Sequence, residues 1–281
     1  MSWAERAKSA AGTALIQVVG RRTLARAARF LTNVARLDAT NDMLRNGETL
    51  VQETVIAHTA PGTKLVVADV GAHTGQWTNQ FLARARGRDL AIHAFEPVSS
   101  TAALFRQNVT DGGVTLNVEA LSDKPGTAEI SVYAAGMGIN ALVPDSAVPA
   151  SYREPVRLTT FDDYCRERSL DEVSLMKIDA EGHDLFVLRG AASMFAGRKI
   201  AVAQFEYNHR WVWSRAFLRD AFEFAGQCGY RLGKVTQKGI EFYAAWDKEL
   251  EKFQEGNYVL CRADWVSHFP RIRWWAEDRS S

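Results

Sequence analysis

Cysteine is scarce in this 281-residue chain: Cys165, Cys228 and Cys261 lie far apart, with no Cys-x-x-Cys pair and no neighbouring histidine. That spacing excludes a disulfide framework and the usual zinc patterns, and it points to a reducing compartment. Long apolar runs are missing as well. The stretch Thr13 to Val19 is interrupted by Gln17 and falls far short of the roughly 18–20 residues that cross a bilayer. A secretory leader is not expected either, because Glu5 sits in the would-be positive region and Arg21 and Arg22 follow the short apolar stretch. A cytoplasmic location is therefore the expectation. Charge of one sign is equally lacking. The 34 Lys+Arg meet 33 Asp+Glu, a net of +1, which argues against a dedicated nucleic-acid binder. No repeat or low-complexity tract occurs, and 47% hydrophobic with 24% charged residues is the composition of a chain that folds.

What charge there is lies unevenly. Residues 1–37 hold seven basic side chains and one acid, a net of +6, leaving 27 basic against 32 acidic residues, −5, for the remainder. Between Thr23 and Leu37 the apolar Leu24, Ala27, Ala28, Leu31, Val34 and Ala35 recur at helical spacing, with Arg22, Arg26, Arg29 and Arg36 on the other face. Such a helix suits peripheral contact with an anionic membrane surface, here the inner face, or an anionic substrate; alternatively its Ala-rich stripe packs on the domain. A symmetric contact between two copies, a homodimer, would also use it. Residues 1–58 are read as a helical extension, 59–264 as the main domain, and 265–281 as a Trp/Arg-rich tail.

The main domain alternates. Lys64 to Val70 is nearly all apolar, as a strand buried on both faces should be. A helix from about Gly75 to Arg86 follows, then a strand Leu90–Glu96, a helix Ser99–Asn108 and a strand Val114–Leu121. Ala128–Tyr133 and Val156–Thr160, flanking Met137-Gly138-Ile139-Asn140, read as an inserted β-hairpin. The alternation resumes with a helix Phe161–Arg168, a strand Ser174–Asp179, a helix Asp184–Phe195, a strand Ile200–Tyr207 and a helix Ser214–Cys228. Strand-like Tyr230–Val235 and Asn257–Arg262 close the chain. This is the pattern of an α/β, doubly wound sheet with an antiparallel last strand.

Chemistry gathers at the strand ends, where ligands of open parallel sheets sit. Asp69-Val-Gly71-Ala72-His73-Thr-Gly75 joins a buried strand to a helix, and its glycines allow a tight turn and close backbone approach. Against the dinucleotide pattern G-x-G-x-x-G, His73 replaces the middle glycine, which suits a nucleoside without phosphates better than a pyrophosphate. Glu96, 25 positions beyond Gly71 and followed by Pro97, stands where an acid accepts from ribose hydroxyls. Asp179, in Lys177-Ile-Asp-Ala-Glu-Gly-His-Asp184, and Glu206 and His209 after the fifth strand supply titratable groups on the same edge. His209 or Glu206 would serve as general base, with Asp179 orienting the reactants. The oxygens of Asp179, Glu206 and Asn208 would also suit a magnesium ion (Mg2+), although no spacing motif demands one.

The succession Asp69-Val-Gly-Ala-His-Thr-Gly75, Phe95-Glu96-Pro97, Leu121-Ser122-Asp123, Thr160-Phe-Asp-Asp163, Lys177 to Asp184, Phe205-Glu-Tyr207 and Gly256-Asn-Tyr258 resembles the FkbM family of methyltransferases. The resemblance runs from about Val66 to Arg262 and departs at Phe161, where leucine is expected. It implies the class I methyltransferase Rossmann-like fold, S-adenosyl-L-methionine as donor, and O-methylation of a sugar, polysaccharide or natural-product acceptor. By that likeness Asp69, Gly71 and Gly75 line the methionine part, Glu96 the ribose, and Ser122 the adenine side, with Ala72, His73, Pro97 and Asp179 also among the donor-binding residues. Two other readings compete: an NAD-dependent oxidoreductase, against which the missing middle glycine argues, and a non-catalytic glycan- or membrane-binding module.

Overall fold

The structure, a computed structural model, describes residues 2–38, 42–133, 140–143 and 149–277, and falls into two units. The first joins Met1–Asp38 with Trp275–Ser281. Its helices α1 (Trp3–Val19) and α2 (Arg21–Ala35) meet at Gly20, which takes a positive φ. Ser2 and Glu5 form a reciprocal capping box that satisfies the first free N–H groups of α1. No residue of either helix is buried, and Trp3, Val18, Phe30 and Leu31 are all more than half exposed.

The second unit, Ala39–Trp274, is an α/β sandwich. Its elements are α3 (Glu48–His58), β1 (Leu65–Val70), α4 (Gln76–Arg84), β2 (Leu90–Phe95), α5 (Ser99–Asn108), β3 (Val114–Asn117), β4 (Ala120–Leu121), β5 (Gly126–Val132) and β6 (Tyr152–Thr159). There follow α6 (Phe161–Arg168), β7 (Val173–Ile178), α7 (Asp184–Arg189), α8 (Ala192–Ala196), β8 (Ile200–Tyr207), α9 (Arg210–Trp213), α10 (Leu218–Cys228), β9 (Tyr230–Thr236), β10 (Gly239–Phe242) and β11 (Gly256–Arg262). The main sheet runs β10-β9-β11-β8-β7-β1-β2-β3. Strands β8, β7, β1, β2 and β3 are parallel, whereas β11 inserts antiparallel between β8 and β9. That arrangement is the expected class I, Rossmann-like α/β fold with a reversed last strand.

Successive strand residues feed opposite cores. Val67, Leu175 and Val202 pack under Val51 and Val55 of α3 and Trp77 and Phe81 of α4. Ala68, Met176 and Ala203 pack against Phe161 of α6, Leu185 of α7, Phe195 of α8 and Leu218 of α10. Helix α3, read from sequence as part of the extension, thus belongs to the second unit and covers one face of the sheet.

Three sequence readings change. The run Val114–Leu121 is two strands, since β4 leaves the main sheet to pair with β6, making a second sheet β4-β6-β5 around the expected hairpin. Met137 to Ile139 lie outside the described residues. The helix expected over Asp184–Phe195 breaks at Gly190, where any Cβ would collide with the Ser122 carbonyl oxygen. The helix expected over Ser214–Cys228 starts only at Leu218, as α10, with α9 a separate turn ahead of it, and β10 is an additional strand.

Candidate active site

A cavity of about 440 Å³ runs along the carboxyl ends of the strands, within the size range of ligand sites. At its β1–β2 end the chain turns at Gly71 (φ +75°), where a Cβ would collide with the carbonyl oxygen of Asp179. Only glycine lets the ends of β1 and β7 approach this closely. His73 follows with φ 49°, and its N–H donates to Glu96 Oε2 at 3.0 Å, while the Val98 N–H donates to Oε1 at 2.9 Å. Glu96 is thereby aimed by two backbone groups. Burial pushes its carboxyl up to about 7, against the pull of those N–H groups. Phe95, Leu121 and Ile130 provide apolar wall beside it, and His183, whose imidazole burial lowers to about 4, lines the same end.

The other end is assembled from β7, β8, β9, β11 and the loop before α3. Lys177 is buried on the face that α3 covers, register-paired with Asp69 on β1 and Gln204 on β8. Its Nζ lies 3.2 Å from Asp179 Oδ2 and 3.8 Å from Asp69 Oδ1. Burial alone would lower the ammonium, but the carboxylates of Asp179, Asp69 and Glu48 hold it above its ordinary value, so it stays charged. Glu181, at φ 53°, pairs with Arg210 Nε at 3.0 Å. Burial and the Asp179 charge nevertheless push its carboxyl up to about 8. Glu206 accepts from Asn208 Nδ2 at 2.8 Å and is raised well above the usual range by burial and by Asp179, Asp184 and Glu181. Asp184, raised by burial to about 7, caps its own turn by accepting from the Gly182 and Ala180 N–H groups.

Of the residues singled out from sequence, Gly71, Ala72, His73, Glu96, Pro97, Asp179 and Glu206 line the cavity. Four do not. Asp69 is fully buried beneath the loop, accepting from Thr78 Oγ1 at 2.6 Å; Gly75 is the residue preceding α4 and abuts Val109 and Phe105. Ser122 lies behind the lining and meets it through His183 Nε2, 3.0 Å from its Oγ. His209 is exposed at the start of α9, outside the lining. The magnesium expectation is not supported: among the described residues no three His, Cys, Asp or Glu side chains gather to hold an ion. Asp179 is engaged with Lys177, and Asn208 with Glu206 and the Arg210 N–H. Asn46 and Glu48, which also line the cavity, carried no motif; an Asn-Gly-Glu turn at a helix start is their single local signal.

Residues 69–232, more than half of the chain, match the methyltransferase FkbM domain. The chain belongs to the FkbM methyltransferase family. No curated protein matches it. Among solved structures it is similar to the methyltransferase FkbM of Methylobacillus flagellatus KT, at 14% identity and a TM-score of 0.45 over 74% of this chain. It spans 47% of that protein, about half its length. It is also similar to the precorrin-6y C5,15-methyltransferase of Geobacter metallireducens GS-15, at 13% identity, a TM-score of 0.41, and 80% and 94% of the two chains. Within this FkbM chain the matched region contains the Gly71 loop, Glu96, Asp179 and Glu206, whereas Asn46, Glu48, Lys234 and Asn257 lie outside it. No helix of the described residues is long and apolar enough to cross a membrane.

Proposed function

We propose that this chain transfers a methyl group from S-adenosyl-L-methionine to a hydroxyl of a sugar, polysaccharide or natural product. The observation that carries the reading is one continuous cavity whose β1–β2 end presents a backbone-aimed carboxylate, Glu96, and whose other end presents Asp179 and Glu206. The residues present fit the donor. Glu96 suits a ribose diol, Phe95, Leu121 and Ile130 suit a flat purine, and the Gly71 turn beside Asp179 suits a cationic methionine part.

S-adenosyl-L-methionine supplies a methyl group on a sulfonium centre, already electrophilic. The protein's task is alignment and removal of one proton from the acceptor oxygen. Asp179, fixed by Lys177, orients the reactants, and the Glu206 carboxylate takes the proton, general-base help of this kind being worth on the order of 10²–10⁴ in rate. His209 has no part in this scheme. Calorimetry with S-adenosylhomocysteine against NAD, followed by mass spectrometry of candidate acceptors, tests the reading. Binding of NAD in place of the homocysteine product would overturn it.

The first unit suggests where the reaction occurs. The +6 charge of residues 1–37 and the exposed Trp3, Val18, Phe30 and Leu31 suit peripheral attachment to an anionic leaflet from the cytoplasmic side. Deleting residues 1–37 should abolish co-sedimentation with phosphatidylglycerol-containing vesicles, each Lys or Arg contributing about 1 kcal/mol, and leave S-adenosylhomocysteine binding intact. Undiminished vesicle binding by the shortened chain would refute the attachment.

A further inference from the structure

The cavity lining holds a carboxylate that the scheme above does not use. Glu48, the first residue of α3, lines the cavity at 7% exposure. Its Oε1 accepts from Asn46 Nδ2 at 2.5 Å and from Asn257 Nδ2 at 3.4 Å, and its backbone N–H donates to Asn46 Oδ1 at 3.0 Å. Asn257 is fixed in turn, accepting from Gln204 Nε2 at 3.1 Å, and stands opposite Glu206 in the β8–β11 register. The second oxygen, Glu48 Oε2, has no hydrogen-bond partner. A buried acceptor left without a donor is destabilising, and three side chains are spent on holding this one in place. Such an arrangement is preorganised for a donor that arrives from outside.

We propose that Glu48, steadied by Asn46 and Asn257, is the acceptor-holding subsite of this cavity, and that it takes a hydroxyl of an uncharged polyhydroxylated molecule, a neutral glycoside, next to the hydroxyl presented to Glu206. The inference rests on the methyl-transfer reading and names which acceptors satisfy it. Charge decides the class. Lys177 is engaged by Asp179 and Asp69, Arg210 by Glu181, and Lys234 is buried and not free, so these lining Lys and Arg side chains offer no unengaged cation to a phosphate or carboxylate. An anionic acceptor would lose its hydration without compensation. A hydroxyl supplies the donor that Oε2 lacks and can accept from neighbouring amides. Burial raises the Glu48 carboxyl above its ordinary value, against the pull of Lys177 and of Asn46. Asn46, Glu48 and Asn257 all fall outside the matched family region, as expected of a wall that sets the acceptor of this particular chain.

Saturation-transfer NMR on the full chain loaded with S-adenosylhomocysteine tests the subsite, with methyl glucopyranoside, glucose 6-phosphate, glucuronate and glucosamine as probes. The neutral glycoside should bind the wild-type chain in preference to both anions and to the amine. Glu48→Gln, which replaces the acceptor oxygen by a donor at constant shape, should weaken it roughly tenfold, the effect of one lost hydrogen bond, with S-adenosylhomocysteine affinity unchanged. Asn257→Asp, which sets a second carboxylate against Glu48, should do the same and serves if the first variant does not fold. Equal glycoside binding in wild type and a folded variant overturns the proposal, as does preference for an ionic probe or no glycoside binding by the loaded chain. Failure of the wild-type chain to bind S-adenosylhomocysteine is a different result, because it removes the methyl-transfer reading itself and the subsite with it.

Discussion

At the β1–β2 end of the cavity the polar groups are held by backbone, and at the β7–β11 end they are held by one another. Glu96 is fixed by the N–H groups of His73 and Val98, inside a loop whose path Gly71 and the left-handed His73 determine. Glu48, Asn257, Gln204, Lys177 and Asp179 instead form side-chain pairs across α3, β1, β7, β8 and β11. A backbone-held carboxylate cannot move without giving up both backbone hydrogen bonds, whereas a side-chain pair rearranges by rotamer changes and by single substitutions. The first construction suits a ligand that never varies, the nucleoside of the donor. The second suits the proposed acceptor side, where a single substitution can refit the wall to a different molecule.

The sharpest break in that comparison is in rate. Glu206→Gln keeps the shape of the side-chain-held end and removes its proton acceptor, so turnover should fall by about 10²–10⁴ while S-adenosylhomocysteine affinity is unchanged. Burial and the neighbouring acids raise the Glu206 carboxyl, so wild-type turnover should climb with pH as that carboxyl ionises. The Gln variant should lack that limb. Full turnover in the variant would move the proton to Asp179 and leave Glu206 as wall.

Glu96→Ala should give the complementary result at the backbone-held end. Two ribose hydroxyls bonded to a charged acceptor are worth about 3 kcal/mol together, so the S-adenosylhomocysteine dissociation constant should rise roughly 100-fold by calorimetry. Turnover at saturating donor should change little. Unaltered affinity would show that the ribose is held elsewhere and that the division between the two ends is wrong.

The same division governs what could be read from sequence. Periodicity and capping place the helices Ser99–Asn108 and Phe161–Arg168 and the strand Ile200–Tyr207 at their observed bounds, because each is determined by its own buried pattern or by a local cap such as Thr160 on Asp163. Glu96 was legible for a related reason, since strand, turn and acid lie within one βαβ unit. Glu48 and Asn257 are 209 positions apart, and nothing in the spacing of either announces the other. Where local pattern misled, a long-range approach had intervened. Val114–Leu121 reads as one strand because periodicity cannot tell which sheet a residue joins, and Asp184–Phe195 reads as one helix because the approach of Gly190 to Ser122 is a tertiary event. His209 drew attention by residue type and by its place after the fifth strand, and neither decides on which side of a turn a side chain emerges.

A further effect is on stability, and it sharpens the comparison without any ligand. Glu96 titrates near 7 in the folded chain against 4.5 for the ordinary carboxyl, and Asp184 near 7 against 3.8. Between those values the folded chain keeps protons that the unfolded chain has released. Stability therefore falls as pH rises from about 4.5 to 7, by about 1.4 kcal/mol per pH unit for each such group, and Glu181, near 8, extends the decline. The melting temperature of the ligand-free chain should drop from pH 5 to pH 8. Glu96→Gln removes one titrating proton and leaves one of the two N–H partners facing the new amide NH2, so its curve should lie lower throughout but be shallower by one group's slope. Saturating S-adenosylhomocysteine should flatten the wild-type curve in the same window, because ribose hydroxyls favour the ionised Glu96. A variant curve parallel to wild type would mean that the two backbone N–H groups keep Glu96 ionised throughout, and that the burial of its carboxylate carries no cost in this window.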